Sequence, residues 1–141
     1  MNSVSPHVNS IVRQLPMKPK YEKIEELSQT EVEAAILRDN SDELVYAVLS
    51  AALYAEDAAW AEDICARLAA HENENVRGNA ILGFGHIARI HEQLTESTVK
   101  PLIEAALEDE SADVRGQAEG AKDDVKFFLR WRFKRRNKQP I

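Results

Sequence analysis

One hexapeptide occurs twice in this chain, and that limits the folds open to it. Asn75-Val76-Arg77-Gly78-Asn79-Ala80 returns as Asp113-Val114-Arg115-Gly116-Gln117-Ala118. At the same offset upstream, Ile64, Cys65 and Leu68 correspond to Leu102, Ile103 and Ala106. A weaker copy, with Asp42, Leu44, Val45 and Ala47 ahead of Val48-Leu49, precedes the first at a slightly shorter offset. A period of this length marks a supersecondary unit that cannot bury its apolar face alone and stacks on its neighbours.

Each unit reads as two helices. Alanine is abundant, and apolar residues recur at three- and four-residue spacing, the helical period. Ser5-Pro6 with Val8, Ile11, Val12 and Leu15 predicts a short helix over 6–15, ended by Pro16 and Pro19. Ile24 and Leu27 suggest one further helical turn. Thr30 and Glu33 have capping-box spacing, with Val32, Ile36 and Leu37 as the buried face behind them. Helices are predicted over 42–55 (Leu44, Val45, Val48, Leu49 and Leu53 inward), 57–71 (Trp60, Ile64, Cys65 and Leu68 inward, Asp57 as cap) and 76–91 (Val76, Ala80, Ile81, Phe84 and Ile87 inward). Another is predicted over 98–108, capped by Ser97 with Pro101 in its first turn, and a last one from Asp113 to about Phe133. Short polar turns such as His71-Glu72-Asn73-Glu74-Asn75 make successive helices antiparallel.

The segment Pro101-Leu102-Ile103-Glu104-Ala105-Ala106-Leu107-Glu108-Asp109-Glu110-Ser111-Ala112-Asp113-Val114-Arg115 resembles the HEAT-repeat motif, and Ala80-Ile81-Leu82-Gly83-Phe84-Gly85-His86-Ile87 resembles that motif's second helix. The resemblance covers roughly residues 30–130 and implies an all-α fold. Antiparallel helix pairs would stack as a short right-handed HEAT-like α-solenoid over residues 20–133, between an N-terminal segment 1–19 and a basic tail 134–141. It also implies that Asn75 and Asp113 cap second helices while Arg77 and Arg115 bridge to neighbouring repeats.

Charge is distributed unevenly. The net charge is −6, yet Glu22 to Asp124 holds 24 acidic residues against eight basic ones, a balance of −16. Residues 125–141 hold seven basic residues and no acidic one. Such a body repels phosphate backbones and favours a basic protein partner, so no nucleic acid is expected on it. No stretch is apolar enough for a membrane span or a signal peptide, and the expected location is the cytoplasm. With Cys65 as the sole cysteine, an internal disulfide is excluded.

Chemistry is sparse. His71-Glu72 and His91-Glu92 are similar to the iron-binding dipeptides of HEAT-like deoxyhypusine hydroxylases, but those come in sets of four. With only two pairs, on different kinds of helix, both are read instead as histidines near helix C-terminal carbonyls. Cys65 lies on an apolar stripe and reads as a buried hydrophobe. Gly83 and Gly85 fall inside a helix, where they allow close helix approach. No catalytic residue, metal or cofactor is expected. In Lys126 to Lys138 aromatic and basic residues alternate; Phe127, Phe128 and Trp131 are read as closing the core, with nucleic-acid or membrane contact as the functional alternatives.

In size, acidity and lack of catalytic residues the chain is similar to bacterial immunity proteins, several of which look like helical repeats. That resemblance implies inhibition of a basic toxin, typically a nuclease, by binding it; the alternative is a general adaptor or scaffold. The candidate contact residues are acidic and sit at inter-helix turns: Asp39, Asp42, Glu43, Glu72, Glu74, Glu108, Asp109 and Glu110.

Overall fold

The computed structural model describes residues 23–134, and among these every regular element is an α-helix. In order they are α1 (Gln29–Arg38), α2 (Ser41–Tyr54), α3 (Ala58–Leu68), α4 (Glu74–His91), α5 (Glu96–Ala106) and α6 (Ala112–Leu129). The helix expected over 6–15 and most of the basic tail lie outside the described residues.

Local chemistry sets the helix starts. Ser28 and Glu31 form a reciprocal capping box on α1, two residues before the expected Thr30–Glu33 pair. Asn40 caps α2, Asp57 caps α3 as expected, Asn73 caps α4 and Ser111 caps α6, each accepting backbone N–H bonds of the first turn. Asn75 and Asp113, expected as caps, thus stand inside their helices. Helix α5 begins after Thr95, not Ser97, so Pro101 lies in its second turn. Helix α1 ends at Asp39, α4 at Glu92 and α6 at Arg130, three non-glycine residues in the left-handed region. The last helix therefore stops at Leu129, short of the expected Phe133.

Alternate helices form a row. Helix α4 packs against α2 on one side and α6 on the other, while α2 and α6 do not meet. The first helices of the pairs cover this row: α1 lies on α2, α3 on α2 and α4, and α5 on α4 and α6. The core follows this row, with Leu44, Val45 and Val48 of α2, Val76, Ile81, Phe84 and Ile87 of α4, and Val114, Ala118, Ala121 and Val125 of α6 all buried. Close packing along α4 depends on its glycines. A Cβ at Gly83 would stand 2.6 Å from Cys65 Sγ and 3.3 Å from Ala52 Cβ, and one at Gly85 would stand 3.3 Å from Ala121 Cα. Cys65 is fully buried, and burial, with Glu62 nearby, pushes its thiol up to about 12, so it carries no thiolate chemistry at neutral pH.

Non-helical straps lie against both ends of the row. The turn expected around Ile24 and Leu27 is not a helix. Residues 24–28 run across α2, where the Glu25 and Leu27 N–H groups donate to Tyr46 Oη and Ser50 Oγ, and Tyr54 Oη donates to the Ile24 carbonyl, all at 2.8 Å. Tyr46, Ser50 and Tyr54 recur every fourth residue and so share one face of α2. At the other end the chain turns at Arg130, and Phe133 settles between Lys100 of α5 and Lys122 of α6, whose Nζ atoms stand 5.4 and 5.8 Å from its ring centre. Phe128 and Trp131 pack on the core as expected; Phe127 does not, being 73% exposed. Leu37, expected on the buried face of α1, is 87% exposed, because only Val32 and Ala35 of that helix are fully covered.

Candidate partner-binding edge

The turns inside the three helix pairs, at residues 39–40, 69–73 and 107–111, are joined side by side. His71 Nε2 lies 2.8 Å from Asp39 Oδ1, linking the first turn to the second. The other ring nitrogen of His71 accepts the Asn73 N–H, which places the imidazole proton on Nε2, toward Asp39. From the second turn to the third, Arg77 donates to both carboxylate oxygens of Asp109 at 2.8 and 2.7 Å, and Ser111 Oγ donates to Glu74 Oε1. The three turns therefore make one continuous edge. All eight expected acidic residues lie on it, in a turn or within the first helical turn that follows.

They do not play equal parts. Asp109 is a clasp. Its side chain is 16% exposed and that of Arg77 13%, the pair is bidentate, and Arg77 also donates to the carbonyls of His71 and Glu72. Arg77 thus bridges neighbouring helix pairs, the role the HEAT resemblance implies for it. Arg115, its counterpart, donates to the carbonyls of Asp109 and Glu110 within its own turn. Glu43 is held by Arg38 through Nε and Nη2, which lowers its carboxyl below the ordinary range. Asp42, Glu72, Glu74 and Glu108 are exposed, and the Glu110 side chain is 93% exposed. A rim of carboxylates stands over a hydrogen-bonded base, a surface that attracts cations with little rearrangement.

Arg77 holds the Asp109 carboxyl down at about 2, against an ordinary 3.8. A depressed carboxylate stabilises the fold above its unfolded value and loses that contribution as pH falls through the folded one. Asp109→Asn is expected to cost about 1–3 kcal/mol at pH 7. It is also expected to remove part of the decline in melting temperature between pH 4 and pH 2. Thermal melts of both proteins at pH 7, 4 and 2 check this; parallel curves would show that the clasp does not titrate as described.

Elsewhere, His91 Nε2 lies 3.1 Å from the Ala55 carbonyl at the end of α2, so it does meet a helix C-terminus, though one from the neighbouring pair. Among the described residues no group of three or more His, Cys, Asp or Glu side chains is arranged to hold a metal ion, and no helix is long and apolar enough to cross a membrane. Sequence reasoning missed His71 as a link between turns and Leu37 as an exposed apolar neighbour of Asp39. The His71 signal is its place two residues before the cap Asn73, and nothing local marks Leu37.

No protein-family model matches the chain, and no curated protein matches it. Among solved structures it is similar to a chain in the crystal structure of a CDI complex from Cupriavidus taiwanensis LMG 19424, with a TM-score of 0.69 and 23% sequence identity. The match covers 79% of this chain and 98% of that one. At this identity the likeness is one of fold.

Proposed function

We propose that this chain is a cytoplasmic immunity protein of a contact-dependent growth inhibition system. It binds a basic toxin domain, of the nuclease class, through the acidic turn edge, and it catalyses no reaction. The observation that carries this reading is the edge itself: three turns tied into one line by Asp39–His71, Arg77–Asp109 and Glu74–Ser111, with Glu72, Glu108 and Glu110 projecting from it. A nuclease cleft is lined with cations that hold phosphates, and a fixed row of carboxylates competes for them. The likeness to a chain solved within a CDI complex supports the same reading. We also read the row α2–α4–α6, with its repeated hexapeptide, as a short right-handed HEAT-like solenoid, an architecture that offers a long surface for one partner.

The test is co-expression with the cognate toxin domain that this reading requires. Growth is expected to recover, and the two proteins are expected to leave a sizing column as one complex. Persistent growth arrest despite co-purification would make the chain an adaptor. Arrest with no complex would remove the reading altogether.

A further inference from the structure

A second charged surface lies at the opposite end of α6, and the acidic edge does not account for it. Phe127 is 73% exposed, yet its ring is fixed: it meets Phe128 edge to face, with centroids 4.8 Å apart at 84°, and Phe128 packs on the core. Beyond it the strap alternates. Arg130, Arg132 and Lys134 are exposed, whereas Trp131 and Phe133 between them are half-buried. The inward aromatics anchor the strap, and the cations all face solvent. Arg130, where the chain leaves α6, stands in the left-handed region, and Arg132 and Lys134 follow it at every second residue on the solvent side. Lys126 adds a fourth exposed cation beside Phe127.

These four cations make no ion pair among the described residues, unlike Arg38, Arg67 and Arg77 in the body, which are all paired with carboxylates. The acidic edge does not cancel them. It lies at the N-terminal end of α6, and 18 residues at 1.5 Å each separate the two ends by about 27 Å, roughly three screening lengths at physiological salt. The ligand such a surface fits has regularly spaced anionic groups and flat faces that stack on an exposed aromatic ring.

We propose that Lys126, Phe127, Arg130, Arg132 and Lys134 form a binding surface for single-stranded nucleic acid, with Phe127 stacking on a base and the cations following the backbone. The surface is separate from the proposed toxin-binding edge and does not depend on it.

Fluorescence anisotropy of the full chain with a labelled 15-nucleotide oligo-dT tests this. Binding is expected at 50 mM salt and should weaken about fortyfold by 300 mM, as for three neutralised phosphates. Phe127→Ala should weaken it about tenfold without altering the salt dependence. Lys126→Glu/Arg132→Glu/Lys134→Glu should abolish binding. Because all these side chains are exposed, melting temperatures should stay at the wild-type value, which separates a lost site from a lost fold. No binding at 50 mM salt, or full binding by the triple variant, overturns the proposal. So does retention on vesicles of phosphatidylcholine mixed with phosphatidylserine without oligonucleotide binding, which would assign the surface to anionic lipid. A duplex of the same length binding as tightly as the single strand would overturn the stacking role of Phe127.

Discussion

Phe84→Ala is expected to destabilise the protein by about 3–5 kcal/mol and to lower its melting temperature by roughly 15–25 °C. Phe84 is the largest of the fully buried side chains, and it sits on α4, the helix that touches α2, α3, α5 and α6. Truncation would leave a void that the neighbourhood closes poorly. Gly83 and Gly85 on either side already bring α4 close to Cys65, Ala52 and Ala121, so those elements have little room to move inward. A loss of that size takes a third or more of the stability of a typical domain. Phe127→Ala is the control. It removes the same group from an exposed position, and its effect is expected to stay within about 0.5 kcal/mol. Melting curves of the two variants decide the matter: a shift below about 5 °C for Phe84→Ala would mean that α4 is not the centre of the core.

What the chain reveals before folding is the part set by local pattern. Val76, Ala80, Ile81 and Phe84 recur at the helical period, and Val114 and Ala118 repeat its start in the second copy, so the helix pairs and most of the buried residues are legible. Caps are legible to within a turn. Asn73 and Asn75 are chemically identical, and the choice between them depends on where the preceding chain leaves α3. The strap at 24–28 is not legible. Its Ile24 and Leu27 spacing suits a helix, but its backbone groups bond to Tyr46, Ser50 and Tyr54, 21 to 30 residues away. Leu37 and Phe127 depart from expectation for a related reason. Leu37 lies near the end of α1, which packs only on α2, and Phe127 near the end of α6, which packs only on α4 and α5, so spacing implies burial where no further helix is present to supply it.

The acidic edge shows both outcomes in one place. Turn position and charge pick out eight candidates, and the fold brings all eight to one side. Asp109, however, commits its carboxylate to Arg77, 32 residues away, a pairing that charge and turn position alone do not disclose. The useful mutations are therefore those that spare the clasp.

Asp42→Lys/Glu72→Lys/Glu108→Lys/Glu110→Lys is expected to slow association with a basic toxin domain by about a hundredfold at low salt. The four reversals add eight positive charges and move the chain from −6 to +2; Glu110 gives up a long, exposed 4.0 Å ion pair with Arg77, while the bidentate Arg77–Asp109 pair and the His71–Asp39 and Ser111–Glu74 bonds keep their partners. All four positions are exposed, so the melting temperature should hold within a few degrees. Steering by exposed charge is screened by salt, so the gap between variant and wild type should close toward 0.5 M, where the screening length is only about 4 Å. Dissociation should change less than association, because rim charges act mainly on the encounter. Reversing Asp109 instead would break the clasp and give a variant that melts early, an effect of folding and not of steering. Stopped-flow mixing of the quadruple variant and the wild type with the toxin domain at 20, 150 and 500 mM salt separates these cases. If the two proteins associate equally fast at the lowest salt, the carboxylate rim is a solvated surface and the contact lies elsewhere on the helix stack.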